Sequence, residues 1–159
     1  MGMRIPAAVQ AAIDQAEAEG RATVRRAAKV DAKRAASRGT LSSIEVPVPP
    51  STNHLFANIP GKGRVRTRAY KAWQELAYPF LSQVARPQRF PVAVLIVVSG
   101  NINTSRDIAN VEKAVVDGLV HCGVLPDDSV KFVNDNRQLY VGGDGEAKAE
   151  IFIFERASE

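Results

Sequence analysis

The run P-V-A-V-L-I-V-V-S, from Pro91 to Ser99, is the stretch on which the fold turns. It is apolar without interruption, rich in β-branched residues, and of strand length. An apolar run with no polar alternation predicts a strand buried on both faces. No apolar run approaches the roughly 18–20 residues that span a bilayer. The N-terminus turns charged and Ala-rich, without a signal-peptide pattern, so a cytoplasmic protein with no membrane partner is expected.

Working outward, the loop from Gly100 to Arg106 leads to a helix expected over Ile108 to His121, stopped at Gly123 by the left-handed conformation that glycine accepts. Strands are predicted over Val130 to Tyr140 and Ala149 to Glu155, with the turn Gly142-Gly143-Asp144-Gly145 between them. Upstream, Thr67 to Ala85 carries Tyr70, Trp73, Leu76/Ala77, Phe80/Leu81 and Val84 at helical spacing, with Pro79 expected to kink the helix. Tyr70 and Trp73 are expected in the core. Residues 51–66 read as a loop rich in Asn, Gly and Arg. Leu41 to Val48 reads as a strand closed by Pro49-Pro50, and Pro47 marks it as an edge strand. The order β-α-β-α-β-β predicts an α+β fold (an α/β sandwich) in which two helices pack on a mixed sheet.

The chain of 159 residues suits one domain with its own core. That domain is assigned to residues 41–159, preceded by an Ala/Arg-rich helical extension over 1–40, broken near Gly20. The extension holds eight Lys/Arg and four Asp/Glu, while the rest of the chain balances, so the net charge of +4 is local. Arg21, Arg25, Arg26, Lys29, Lys33 and Arg34 could touch nucleic acid or simply form a solvated face. The single cysteine, Cys122, excludes an internal disulfide and a Cys-based zinc cluster, and reads as a small residue near a helix end.

Chemistry concentrates in S-R-D-I-A-N-V-E-K-A-V-V-D-G-L-V-H-C-G-V-L-P-D-D-S, residues 105–129. At about 100° per residue, Ile108, Val111, Val115 and Leu119 form a core stripe. Asn110, Lys113 and Asp117 form an adjoining polar arc, with Asp107 at its start, while Glu112 turns away from it. Asp127 and Asp128 follow before the next strand. Hard divalent ions take a few carboxylate oxygens and keep waters, leaving room for phosphate. A nearby lysine offsets charge that develops on a reacting phosphate. The same residues also read as a helix-dipole partner (Asp107), an (i, i+4) pair (Lys113 and Asp117) and an ordinary turn (Asp127 and Asp128).

Ile44 to Glu155 resembles the RusA-type Holliday-junction resolvases, a family found in phages and prophages. P-P-S-T-N (Pro49 to Asn53) is similar to the family's P-P-S-x-N. R-D-I-A-N-V-E-K-A-V-V-D-G-L is similar to its R-D-x-D-N-x-x-K-x-x-x-D-x-L, and G-V-L-P-D-D follows at the family spacing. The resemblance implies a homodimer that cuts four-way DNA junctions by paired symmetric nicks with Mg²⁺, or Mn²⁺ in its place. Asp107 and Asp128 then match metal-binding aspartates and Lys113 the essential lysine, with Asn53 helping to organise the active-site region. Ala109 departs from the pattern, because it stands where the family has its second aspartate and a methyl group cannot ligate a metal. Asn110, Asp117, Asp127 or, least favourably, Glu112 completes the site; or the protein binds junctions without cutting; or the alanine is a substitution made to trap DNA.

DNA anchoring is expected from G-K-G-R-V-R-T-R-A-Y-K (Gly61 to Lys71). It sets Lys62, Arg64, Arg66, Arg68 and Lys71 close together on a loop that its glycines would leave mobile, with Arg106 adding a cation beside Asp107. His54 and His121 show no ligand spacing.

Overall fold

A computed structural model describes residues 7, 11, 40–102 and 111–155. The elements are β1 (Thr40–Pro47), a 3-10 turn (Thr52–His54), β2 (Phe56–Ile59), β3 (Gly63–Arg66), α1 (Arg68–Leu81), β4 (Val92–Ser99), α2 (Glu112–His121), β5 (Val133–Gly142) and β6 (Lys148–Phe154). The fold is α+β. A four-stranded mixed sheet has the order β1-β6-β4-β5, and β2 and β3 form a separate two-stranded hairpin. No described helix is long and apolar enough to cross a membrane.

Val92 to Val98 are all buried, as the uninterrupted apolar run requires of a strand with a neighbour on each side and a layer on each face. β4 pairs antiparallel with β6 and parallel with β5, the parallel pair being joined through α2. β1 lies at the sheet edge and ends at Pro47, where a missing N–H costs no ladder bond.

Both described helices pack on one face of the sheet. Thr67 caps α1 by accepting a hydrogen bond from the Tyr70 amide (3.2 Å). Tyr70, Trp73, Gln74, Ala77 and Leu81 face inward, so the inner stripe runs through Ala77 and Leu81 while Leu76 and Phe80 stay exposed. The helix continues through Pro79 but stops at Leu81, not Ala85. Trp73 pins it to the sheet by donating its indole N–H to the Pro47 carbonyl (2.7 Å). On α2, Val111, Val115 and Leu119 are buried as the periodicity predicts, while Ile108 lies outside the described residues. Gly118 admits α1 closely, since a Cβ there would sit 2.8 Å from a Leu81 methyl. The helix ends in a Schellman motif: Gly123, at φ 71°, donates to Val120 and Val124 donates to Leu119.

Two expected boundaries are corrected. Residues 51–66 are not all loop, because Phe56 to Arg66 forms the β2–β3 hairpin. The strand expected from Val130 begins at Val133. The segment before it is a turn in which Phe132 and Val133 both donate to the Ser129 carbonyl, leaving Val130 exposed. The helical stretches expected within residues 1–39 fall outside the described residues apart from Ala7 and Ala11, which are helical and exposed.

Gly100, at φ 92°, turns the chain at the end of β4, and a side chain there would collide with the backbone of Glu146 and Ala147. Gly100→Ala is expected to cost about 2–4 kcal/mol, from backbone strain and the clash together. Urea denaturation checks this, and a loss under about 0.5 kcal/mol, the size of an ordinary surface change, would contradict it.

Candidate functional site

β1, β4 and β5 run in the same direction and β6 runs against them. Pro47, Lys148, Ser99 and Gly142 therefore line up along one edge of the sheet. Both helices start at this edge. Trp73 near the start of α1 reaches Pro47, and the Val111 amide at the start of α2 donates to the Gln138 side chain (3.2 Å). The carboxyl ends of strands in open α/β sheets are where ligand-contacting loops gather, and helix starts add partial positive charge.

Lys113 stands exposed on the first turn of α2 and holds Asp117, one turn on, at 3.1 Å. As an exposed (i, i+4) pair it contributes only a few tenths of a kcal/mol to stability. Asp117 is half-buried on the side towards α1, where its charge reaches Tyr70. Tyr70 belongs to a polar seam between the helices. The Gln74 amide donates to the Tyr78 hydroxyl (2.6 Å), and Arg66 on β3 reaches the Gln74 carbonyl oxygen at 3.5 Å. Burial first, then neighbouring Tyr78 and Asp117, push the Tyr70 hydroxyl far above the ordinary tyrosine range. Burial likewise raises Tyr78.

The seam was not anticipated. Its only sequence signal is the spacing of Tyr70, Gln74 and Tyr78, which is the spacing of a core stripe.

Glu112 is half-buried, and burial raises its carboxyl. Asp127 and Asp128 are exposed in the turn before β5. The Asp127 carboxylate accepts from the Asp128 amide (2.8 Å), and this bond is the main cause of its lowered pKa. The turn sits at the start of β5, whereas Gln138, which marks the start of α2, lies five residues along that strand. Lys113 and Asp117 are thus brought together, and Asp127 and Asp128 lie at the far end of α2.

Asp107, Asn110, Arg106 and Ala109 lie outside the described residues, in a segment that leaves from Ile102 and returns at Val111. Among the described residues no three of His, Cys, Asp and Glu come together. Beside Lys113 the described part offers a Mg²⁺ ion the Asp117 carboxylate. That fits an ion needing one or two protein carboxylates beside phosphate and water, provided Asp107 joins it.

The basic stretch expected as a mobile loop is an ordered hairpin running into α1. Arg64 lies 4.3 Å over the Phe56 ring, and Phe56 packs edge-on against Tyr70. Arg64 and Arg66 share one face of β3, and Lys62, Arg64, Arg66, Arg68 and Lys71 are all exposed. Asn53 is exposed on the 3-10 turn beside it. The His54 ring bonds Ser51 (2.7 Å) and its carbonyl accepts from the Thr67 hydroxyl (2.6 Å), while His121 stacks on Tyr78. Tyr70 and Trp73 are buried, as expected, and Cys122 caps the end of α2.

No family model matches the chain, and no curated protein matches it.

Because the folded state holds Tyr70 and Tyr78 protonated above the ordinary tyrosine pKa of about 10, their contribution to stability is full below that pH and is lost as pH rises beyond it. Spectrophotometric titration is expected to show two of the three tyrosines ionising late, with the denaturation midpoint falling above pH ~10. Ordinary ionisation of all three would contradict the seam.

Proposed function

We propose that the chain is a divalent-metal-dependent endonuclease that resolves four-way DNA junctions by paired nicks, Lys113 being the group that offsets charge on the reacting phosphate. The observation that supports this most is a shared edge. An exposed Lys113 on the first turn of α2 lies at the same end of the sheet as the hairpin and helix start that carry five exposed cations. The resemblance in motif order to the RusA-type resolvases gives that arrangement its reaction.

Arg64, Arg66, Arg68 and Lys71, with Lys62 at the hairpin turn, anchor phosphates without reading sequence. Lys113, held upright by Asp117, presents its ammonium to the scissile phosphate. Asp107 and Asp128, with Asn110, Asp117 or Asp127, would hold Mg²⁺ or Mn²⁺, which when bound supplies an activated water and polarises the phosphate. Two symmetric nicks call for two copies. A second reading, junction binding without cutting, rests on Ala109, whose methyl group cannot replace a carboxylate.

Cleavage of a synthetic four-way junction with Mg²⁺ separates the two. Lys113→Ala is expected to lower cutting by at least ~100-fold with binding retained. Ala109→Asp is expected to leave cutting unchanged or raise it. A native chain as inert as Lys113→Ala leaves only the binding reading. Arg64→Ala and Arg66→Ala are each expected to weaken binding to all DNA and to reduce the slope of log affinity against log salt by about 1. An unchanged slope would remove the hairpin from the interface.

A further inference from the structure

α2 is held to the sheet by two different means. Its body is fixed by apolar packing: Ala114, Val115 and Leu119 are fully buried in the core, and Gly118 lets α1 approach closely. Its start carries a further demand. The first amides of a helix have no partner within it, and a side chain at the capping position ordinarily supplies one. Here that position is Val111, whose side chain cannot accept a hydrogen bond. Val111 is 4% exposed, so its amide is also withdrawn from water.

The partner comes from β5. The Gln138 carboxamide oxygen accepts from the Val111 amide at 3.2 Å, across 27 positions of sequence. In the parallel register Gln138 lies beside Ile96 of β4, a core residue under the helices, so it stands on the face that α2 covers. β5 is itself fixed by its ladder to β4, which runs from Val92 and Val133 to Ser99 and Gly142. The anchor is therefore a strand of the sheet and not a loop.

Lys113 stands two residues beyond Val111, on the turn that this bond pins. Its ammonium holds Asp117 at 3.1 Å, a pairing that needs helical backbone between them. The Val115 amide bonds the Val111 carbonyl at 3.3 Å, which closes that turn. Helices fray from their ends. Releasing Val111 would loosen the backbone under Lys113 while the Val115–Leu119 half stays packed.

We infer that Gln138 is a positioning residue: by accepting from the Val111 amide it fixes the first turn of α2, and with it the backbone that carries Lys113. Asp117 orients the Lys113 side chain, and Gln138 sets the point from which that side chain extends. The inference rests on Lys113 being the group that faces the reacting phosphate, and Gln138 acts through it.

The test compares the native chain with Gln138→Met, which keeps the side-chain length but offers a weak sulfur acceptor, and Gln138→Glu, whose carboxylate still accepts. Residue-resolved amide exchange by NMR reads the tether without DNA. Gln138→Met is expected to speed exchange at Val111 and Val115 by at least about fivefold relative to Leu119, with Gln138→Glu close to native. Equal rates in all three chains, or a rise spread evenly over α2 and the sheet, would overturn the inference. Cleavage of a synthetic four-way junction with Mg²⁺ supplies a second readout. Gln138→Met is expected to lower kcat by about 10- to 100-fold with KM and junction affinity in Ca²⁺ unchanged, and Gln138→Glu to restore cutting. Native kcat in Gln138→Met, or a change in KM alone, would also overturn it. A native chain that cuts no junction removes the resolvase reading but not the tether, which the exchange rates then decide by themselves.

Discussion

A strand with apolar side chains on both faces is stable only between two layers, and β4 is such a strand. Every residue from Val92 to Val98 is withdrawn from water. β4 must lie inside the sheet, with β6 on one side and β5 on the other. Parallel pairing with β5 requires a crossover, which α2 provides, and α2 brings Lys113 to the edge where β4 ends. The same constraint demands a cover on the second face, where Leu95 and Phe152 are as dry as the residues beneath the helices. The place of the candidate chemistry is a consequence of one buried strand.

The edge where β1, β4 and β5 end concentrates what the fold offers a polyanion. Two helix starts, an ordered basic hairpin and an exposed lysine occupy it, and Asp117 is engaged by that lysine. Behind them Arg66 reaches Gln74, whose amide bonds Tyr78, so this polar seam ties the hairpin to α1. Buried polar groups joined in this way hold neighbours in a fixed relation, because breaking one bond leaves a partner unsatisfied in a dry setting. The basic face of β3 and α1 are therefore held in a fixed relation.

Much of this was legible from periodicity. Uninterrupted β-branched residues identified β4, the stripe of Val111, Val115 and Leu119 identified the inner face of α2, and Gly123 marked its end. The hairpin escaped because Phe56-Ala-Asn-Ile and Gly-Arg-Val-Arg carry little β signal of their own. Packing of Phe56 on Tyr70 and of Arg64 on Phe56 is part of what orders them, and such contacts do not appear in local propensity. Val130 looked like a strand residue by type, yet the turn begun at Asp127 and held by the Ser129 carbonyl runs through Phe132. In the candidate site, the Lys113–Asp117 pair follows from helical spacing alone. The place of Asp128 does not, since only the direction of β5 determines which end of α2 it occupies.

The most direct measurement of the central claim is a hydrogen-exchange footprint of the full chain with and without a synthetic four-way junction, with Ca²⁺ in place of Mg²⁺ to suppress cutting. The account predicts slowed exchange over Gly63 to Lys71 and Glu112 to Asp117, with strands β4 and β6 unaffected. Protection confined to other surfaces, or none at junction concentrations that saturate binding, would contradict it.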